Sequence, residues 1–264
     1  MPSTNEQDVV LTGGNENVVV QVGDSVRRPV HPWTPAVHAL LRQLDANGFV
    51  ESPNVLGFDE RGREMLTMIP GKVGHYPLTP EMTTDASLVA CARMLRRYHA
   101  AAAILPGWSD LPWRYRDPDP ASWEVICHGD VAPYNIVYWE GMPVGLIDFD
   151  VAGPGPRMWD IAYAAYRLAP LASDANCLDF GFGGPPDRVR RLALFCDAYG
   201  VEDRSGLLEV AIARVTALRD DILARAATGD PSVATHLAED HVGAYNADIA
   251  WITKNEATLR TVLV

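Results

Sequence analysis

Three polar residues, Asp130, Asn135 and Asp148, bracket a short apolar segment of this chain, and their types and spacing point to chemistry at a divalent ion. The runs "IVYW" (Ile136 to Trp139) and "VGLI" (Val144 to Ile147) are β-rich and flank Glu140-Gly141-Met142-Pro143, which reads as the loop of a hairpin. In that register Ile136 faces Ile147, and Asn135 faces Asp148. Directly opposed residues carry their Cβ atoms about 4.5 to 5.5 Å apart on one face, so the hairpin brings an amide oxygen and a carboxylate together. Such hard oxygen donors suit magnesium, which takes few protein ligands and fills its octahedron with water and phosphate oxygens. Asp130 precedes Asn135 on the loop that enters the hairpin. A carboxylate there can accept the proton of a hydroxyl nucleophile, or orient it, without binding the metal.

An Asp, an Asn five positions on and a further Asp after a hairpin follow the order of kinase phosphoryl-transfer sites. The entry here is His128-Gly129-Asp130, and Gly155 and Asp160 follow Ile147-Asp148. Over Cys127 to Ala162 these motifs resemble the aminoglycoside phosphotransferase and choline kinase family of kinase-like small-molecule phosphotransferases. A weaker resemblance extends over nearly the whole chain. It implies an α+β, bilobal, protein-kinase-like fold, with a small N-terminal antiparallel sheet lobe that binds nucleotide and a larger, mainly helical C-terminal lobe. It also implies ATP, or GTP in its place, with Mg2+, and transfer of the γ-phosphate to a hydroxyl of a small molecule such as an aminoglycoside or another cationic alcohol. In the family pattern His128 supports the catalytic loop through hydrogen bonds. Asp160, just ahead of "IAYAAYRLA", reads as a helix N-cap, and Asp150 as a solvated acid.

The elements that must position these groups follow from the pattern around them. "VVLTGGNENVVVQVGDSV" reads as strand, Gly-rich turn, strand and a second turn at Gly23-Asp24. The turn offers Gly13, Gly14 and Asn15, where absent side chains let backbone N–H groups approach phosphates. "AVHALLRQLDANGF" is a helix with Val37, Leu40, Leu41 and Leu44 on one face, and "NVLGFDERGREMLTMI" is a hairpin turning at Glu60-Arg61-Gly62. Pro70-Gly71 then breaks the pattern, and roughly Met65 to Gly74 reads as a hinge, dividing the chain into residues 1–70 and 71–264. The segment Thr67-Met68-Ile69 at the hinge is the expected wall for the base, through the backbone of Met68. Kinases place a cation, usually Lys, on the third strand to hold phosphates. This chain offers Arg27 and Arg28 there; alternation turns one of them inward, with Arg28 favoured, and an Arg adds bidentate recognition. The helix acid that often pairs this cation in the resembling family is absent near Val37 and His38, with no acid between Asp24 and Asp45. That gap keeps a second reading open, a nucleotide-binding regulatory pseudokinase with weak or no turnover.

Downstream, "ASLVACARMLRRYHAAAAIL" reads as a long helix with His99 packed on it. "DRVRRLALFCDAYG", "GLLEVAIARVTALRDDILARAATG" and "PSVATHLAEDHVGAYNADIAWITKNEATLRTVL" read as three closing helices, and residues 172–186 as a Gly/Pro-rich loop. Ten acids against Arg157 and Arg167 between Asp117 and Asp179 favour a cationic or neutral acceptor, with Glu239, Asp240, Asp248 and Trp251 as candidate contacts. The 264 residues carry a formal charge of -12, which argues against nucleic acid as partner. Cys91, Cys127, Cys177 and Cys196 have no metal-site spacing and read as buried, reduced thiols. No basic leader and no apolar run of about 18 residues is evident, so a cytoplasmic protein without a membrane partner is expected. A hydrolase is disfavoured because no G-x-S-x-G elbow is present.

Overall fold

A computed structural model describes residues 9–11 and 19–264 of the chain. Its first part is an antiparallel sheet of β1 (Val9–Leu11), β2 (Val19–Val22), β3 (Ser25–Arg28), β4 (Val55–Phe58) and β5 (Glu64–Thr67), in the order β1-β2-β3-β5-β4. The helix α1 (Thr34–Ala46) links β3 to β4; Pro35 sits in its first turn, where a missing N–H does no harm, and Val37, Leu40, Leu41 and Leu44 are all buried as their spacing requires. Because β3 is central, its last residue is enclosed, and Arg28 stands directly opposite Glu64 of β5.

The chain leaves this sheet through β6 (Lys72–Val73). With β7 (Val125–Cys127), β8 (Ile136–Trp139), β9 (Met142–Leu146) and β10 (Gly153–Gly155) it forms two small sheets, β6-β8-β9 and β10-β7. The rest is helical: α2 (Asp85–Ala101), α3 (Arg157–Leu168), α4 (Asp174–Asp179), α5 (Arg188–Tyr199), α6 (Leu207–Ala227), α7 (Ala234–Ala238) and α8 (His241–Arg260). Helix α2 packs on α5, α3 on α6 and α6 on α8, around a core rich in Leu, Ala and Tyr. The architecture is therefore α+β, an antiparallel sheet lobe followed by a mainly helical part. All four cysteines are buried and unpaired. Among the described residues no helix is long and apolar enough to cross a membrane.

Three local expectations change. The segment 172–186 contains α4, capped by Ser173, whose hydroxyl accepts from the Asn176 N–H. The last helix is broken in two: Asp240 takes a left-handed backbone with φ 51° and caps α8 by accepting from the Gly243 N–H, so an acid inside an apparently continuous period starts a new helix. The β8–β9 hairpin has a two-residue turn, Glu140-Gly141, with φ of 50° and 77°. Positive φ at both central residues is what a tight hairpin turn demands, and Gly141 makes it affordable. Met142 and Pro143 thereby join the strand, and the expected register is displaced: Ile136 pairs with Leu146, with an irregularity between Val137 and Tyr138.

Candidate active site

The β8–β9 hairpin delivers its polar ends to one cleft, though not by the expected pairing. Asn135 ends a 3-10 turn, Pro133–Asn135, and its carbonyl accepts from the Ile147 N–H at 2.9 Å, so Ile147 rather than Asp148 lies opposite it. Asp148 comes one residue later, with φ 63°, a left-handed conformation that costs a non-glycine residue about 1–2 kcal/mol. Such strain persists where the surrounding structure holds it, commonly at functional sites. Asp130, Asn135 and Asp148 all line the same cleft.

Asp130 is held from both sides. Its Oδ1 accepts from the Tyr134 hydroxyl at 2.9 Å and its Oδ2 from Asn135 Nδ2 at 2.7 Å, while Asn135 Nδ2 also donates to the Asp130 carbonyl. The amide nitrogen is thus committed to the neighbouring loop, which leaves the Asn135 oxygen as the group open to a cation. The Asp148 side chain is 54% exposed. Two hard oxygen donors beside a cleft fit magnesium, which needs few protein ligands. Among the described residues no three His, Cys, Asp or Glu side chains converge as a metal cage.

The loop that carries Asp130 is anchored by buried groups. His128 Nε2 donates to the Ile147 carbonyl at 3.0 Å and its Nδ1 accepts from the Asp130 N–H at 3.2 Å, an arrangement that requires the neutral imidazole and ties the loop to the approach to Asp148. Gly129 has φ 81°, and a Cβ there would stand 2.5 Å from the Val151 carbonyl oxygen, so only glycine fits. Asp160 is the largest anchor. It lies within α3, whose N-cap is Pro156, and its carboxylate accepts from the His128 N–H at 2.6 Å, the Gly129 N–H at 2.8 Å and His99 Nε2 at 3.1 Å. Burial alone would raise its pKa; the hydrogen bond and charge of His99 and the Gly129 N–H outweigh that and hold it below the ordinary carboxylate value. Asp160 therefore clamps the catalytic loop instead of capping its own helix.

At the opposite wall Arg28 is buried and lines the cleft. Its Nε lies 2.7 Å from Glu64 Oε2, too far off the N–H direction for a directed hydrogen bond, and its other nitrogens meet Asp150 and, at 3.7 Å, Asp148. Glu64 Oε1 is 2.7 Å from His38 Nε2 on α1. The helix position that lacks an acid thus holds a histidine, and the acid comes from the facing strand. Asp150 is buried against Arg28 and not solvated, as the sequence had suggested. Arg27 points the other way, as strand alternation demands; its Nη1 donates to Ser25 Oγ at 2.6 Å and its Nε lies 3.9 Å from Asp59. It does not line the cleft, so of the two arginines only Arg28 does. Met68 lines the cleft, but its N–H is already donated to the Asp24 carbonyl at 2.9 Å, which leaves its carbonyl for a base edge. Gly13, Gly14 and Asn15 lie outside the described residues.

Beyond Asp130 the cleft widens between α3, α6 and α8. Tyr134 and Tyr163 share a hydroxyl contact of 2.8 Å, and Arg167 lies among Tyr134, Tyr163, Tyr166, Phe180 and Tyr245. Arg214 of α6 packs on Tyr163 and donates to the Gly129 carbonyl. Asp117, Asp179, Asp221, Glu239 and Asp248 line the cleft, and several of the acids expected to face a cationic acceptor have partners within the chain. Asp248 accepts from Tyr166, the Ser173 N–H and Asn176, each at 2.7 Å; Asp240 caps α8; Trp251 lies under Arg188. Of the candidate contacts only Glu239 and Asp248 line the cleft, and Glu239 pairs with His241 at 3.1 Å.

The sequence profile of the phosphotransferase enzyme family (APH) matches residues 113–184, which span the catalytic loop, the hairpin and α3. The chain is 36% identical over 211 residues to a trifolitoxin immunity protein of Rhizobium leguminosarum bv. trifolii, covering 78% of this chain and 79% of that protein. The chain belongs to the phosphotransferase enzyme family. Solved structures agree on the fold of this phosphotransferase. The GDP complex of aminoglycoside 2'-phosphotransferase-IIIa aligns with a TM-score of 0.61 at 15% identity, covering 92% of each chain. An ethanolamine kinase from Plasmodium vivax gives 0.61 at 14% identity over 92% of this chain and 83% of that one. A macrolide 2'-phosphotransferase from Brachybacterium faecium gives 0.56 at 16% identity over 91% of each.

Proposed function

We propose that this phosphotransferase moves the γ-phosphate of ATP, with magnesium, onto a hydroxyl group of a small molecule, with Asp130 as the group that receives the hydroxyl proton. The reading rests above all on Asp130, Asn135 and Asp148 sharing one cleft, with Asp130 fixed by Tyr134 and Asn135. In the step itself a bond forms between the acceptor oxygen and the γ-phosphorus, the bond from that phosphorus to the β,γ-bridging oxygen breaks, the proton passes to the Asp130 carboxylate, and ADP leaves. Asn135 and Asp148 would hold the metal, which supplies charge neutralisation on the phosphates. Arg28 faces the phosphates from β3, and its tie to Glu64 and Asp150 fixes its position before nucleotide arrives. Most of the acceleration then comes from positioning and from charges already in place.

The pseudokinase reading arose from the missing helix acid, and Glu64 removes that motive by supplying the partner from β5. The base is the least constrained part: a neighbour was solved with GDP, so GTP stands beside ATP as donor. The name of the Rhizobium relative supports a protective role, in which the acceptor is a toxic compound that phosphorylation inactivates. The test is a nucleotide-consumption screen over alcohols of differing charge, with product mass as readout and Asp130→Asn as control. A phosphorylated acceptor with the wild type and none with the variant is the expected result. Nucleotide binding without any phosphorylated product across the screen would return the regulatory reading to first place.

A further inference from the structure

The acceptor end of the cleft holds a buried cation that no carboxylate of the described residues pairs directly. Arg167 is 7% exposed and lines the cleft. Its Nε donates to the Tyr163 hydroxyl at 3.0 Å and its Nη2 to the Tyr245 hydroxyl at 3.3 Å; both are neutral acceptors. Among the described residues no carboxylate lies within ion-pairing distance of it. Of the acids that line this end of the cleft, Asp248 is held by three donors, Asp221 pairs with Arg225 at 3.3 Å and Glu239 lies 3.1 Å from His241; Asp179 lines it too, without pairing with Arg167. By contrast the other buried arginines, Arg28, Arg188 and Arg191, each have an acid partner. A guanidinium out of water without an anion is a costly arrangement, and stacking on aromatic rings returns only part of the loss.

A second donor points to the same place. The Tyr76 hydroxyl is buried and lines the cleft beside the Arg167 guanidinium, and makes no hydrogen bond of regular geometry. Its ring meets Tyr134 and Phe180, two of the rings around Arg167. Burial pushes its pKa up to about 12, so it remains a donor at neutral pH. The distance to the chemistry is short in bonds: Arg167 donates to Tyr163, Tyr163 meets Tyr134, and Tyr134 donates to Asp130. A ligand reaching both Arg167 and Asp130 would lie along this line of hydroxyls.

We infer that the acceptor alcohol carries a carboxylate, which docks on the Arg167 guanidinium and the Tyr76 hydroxyl while its own hydroxyl group meets Asp130. A planar guanidinium is suited to a carboxylate, and an adjacent phenol supplies a further donor. The inference rests on the phosphotransferase reading above and reverses the sign of charge that the acid-rich sequence suggests for the acceptor. A carboxylate of this kind occurs on a free hydroxy amino acid and at the C-terminus of a hydroxyl-bearing peptide.

The experiment pairs binding with turnover. L-serine and glycyl-L-serine, their C-terminal amides, and choline serve as probes for thermal shift and for ADP formation, with wild type, Tyr76→Phe and Arg167→Lys. The inference predicts stabilisation and turnover with a free acid, and KM raised roughly tenfold or more by amidation or by either substitution, with the kcat of Tyr76→Phe within about twofold of wild type. A merely structural Arg167 would lower stability alike with every probe and leave the preference for acid over amide intact. Stabilisation by the acids with no ADP formed would keep the anion site and sink the phosphotransferase reading. Turnover of choline or the amides as efficient as that of the acids would keep the phosphotransferase and overturn the anion site, as would the absence of any shift with either acid at tens of millimolar.

Discussion

The loop that carries Asp130 and the chamber behind it, proposed above as the catalytic loop and the acceptor site, are both polar, yet they are finished to different degrees. Around the loop the polar groups are matched within the chain: Asp160 takes two loop N–H groups and His99, His128 uses both ring nitrogens, and Asp130 uses both oxygens. In the chamber Arg167 has only phenols and the Tyr76 hydroxyl makes no hydrogen bond of regular geometry. A self-satisfied region keeps its shape whatever is bound, whereas a region with surplus donors gains its partners with the ligand. On the function proposed above, the difference separates the part of the site that would do the chemistry from the part that would select the molecule.

Substitutions should follow that division. The largest effect belongs to Asp130→Ala, which leaves the fold intact and lowers kcat by about 10²- to 10⁴-fold, the range for removing a positioned proton acceptor; steady-state turnover on any accepted alcohol measures it. Next comes Glu64→Ala. It strips Arg28 and His38 of their shared acid, and chemical denaturation should show a loss of about 3–5 kcal/mol, together with a raised KM for nucleotide. Asp160→Asn should cost about 1–3 kcal/mol, by the same measurement, and loosen the loop. Its pH dependence has a defined sign. Because the folded Asp160 carboxyl titrates below its ordinary value of 3.8, its contribution is complete above that value and is lost as pH falls through the folded pKa. The urea midpoint of the wild type should therefore drop below about pH 4 more steeply than that of Asp160→Asn. Arg27→Ala should do least: its partners lie outside the cleft, so kcat and KM stay within about twofold and stability within about 0.5 kcal/mol.

The two regions also differ in how far the sequence exposes them. Asp130, Asn135 and Asp148 are close along the chain, and β-rich runs on either side of a glycine disclose a hairpin, so their shared cleft is readable even though the turn is shorter than expected. What hid the true register was the backbone: Glu140 and Asp148 both take positive φ, which residue type alone does not announce. Asp150 reads as a surface acid until the sheet lobe places Arg28 against it. Glu64 was visible as an acid in the apolar strand "EMLTMI", but its role depends on β3 lying beside β5, a long-range pairing that no local pattern encodes. The chamber is hardest, because Tyr76, Tyr134, Arg167 and Tyr245 come from four separated stretches and each reads alone as an ordinary core residue. Charge counting along the sequence does not resolve the chamber for the same reason, since most of the counted acids turn out to be paired or capping.

The hard-oxygen pair of Asn135 and Asp148 is tested most directly by measuring ATP affinity with and without magnesium in the wild type and in Asp148→Ala. Magnesium should tighten ATP binding by the wild type by tenfold or more and leave the affinity of the variant unchanged. Equal tightening in both proteins would contradict the placement of the metal and, with it, the assignment of the cleft.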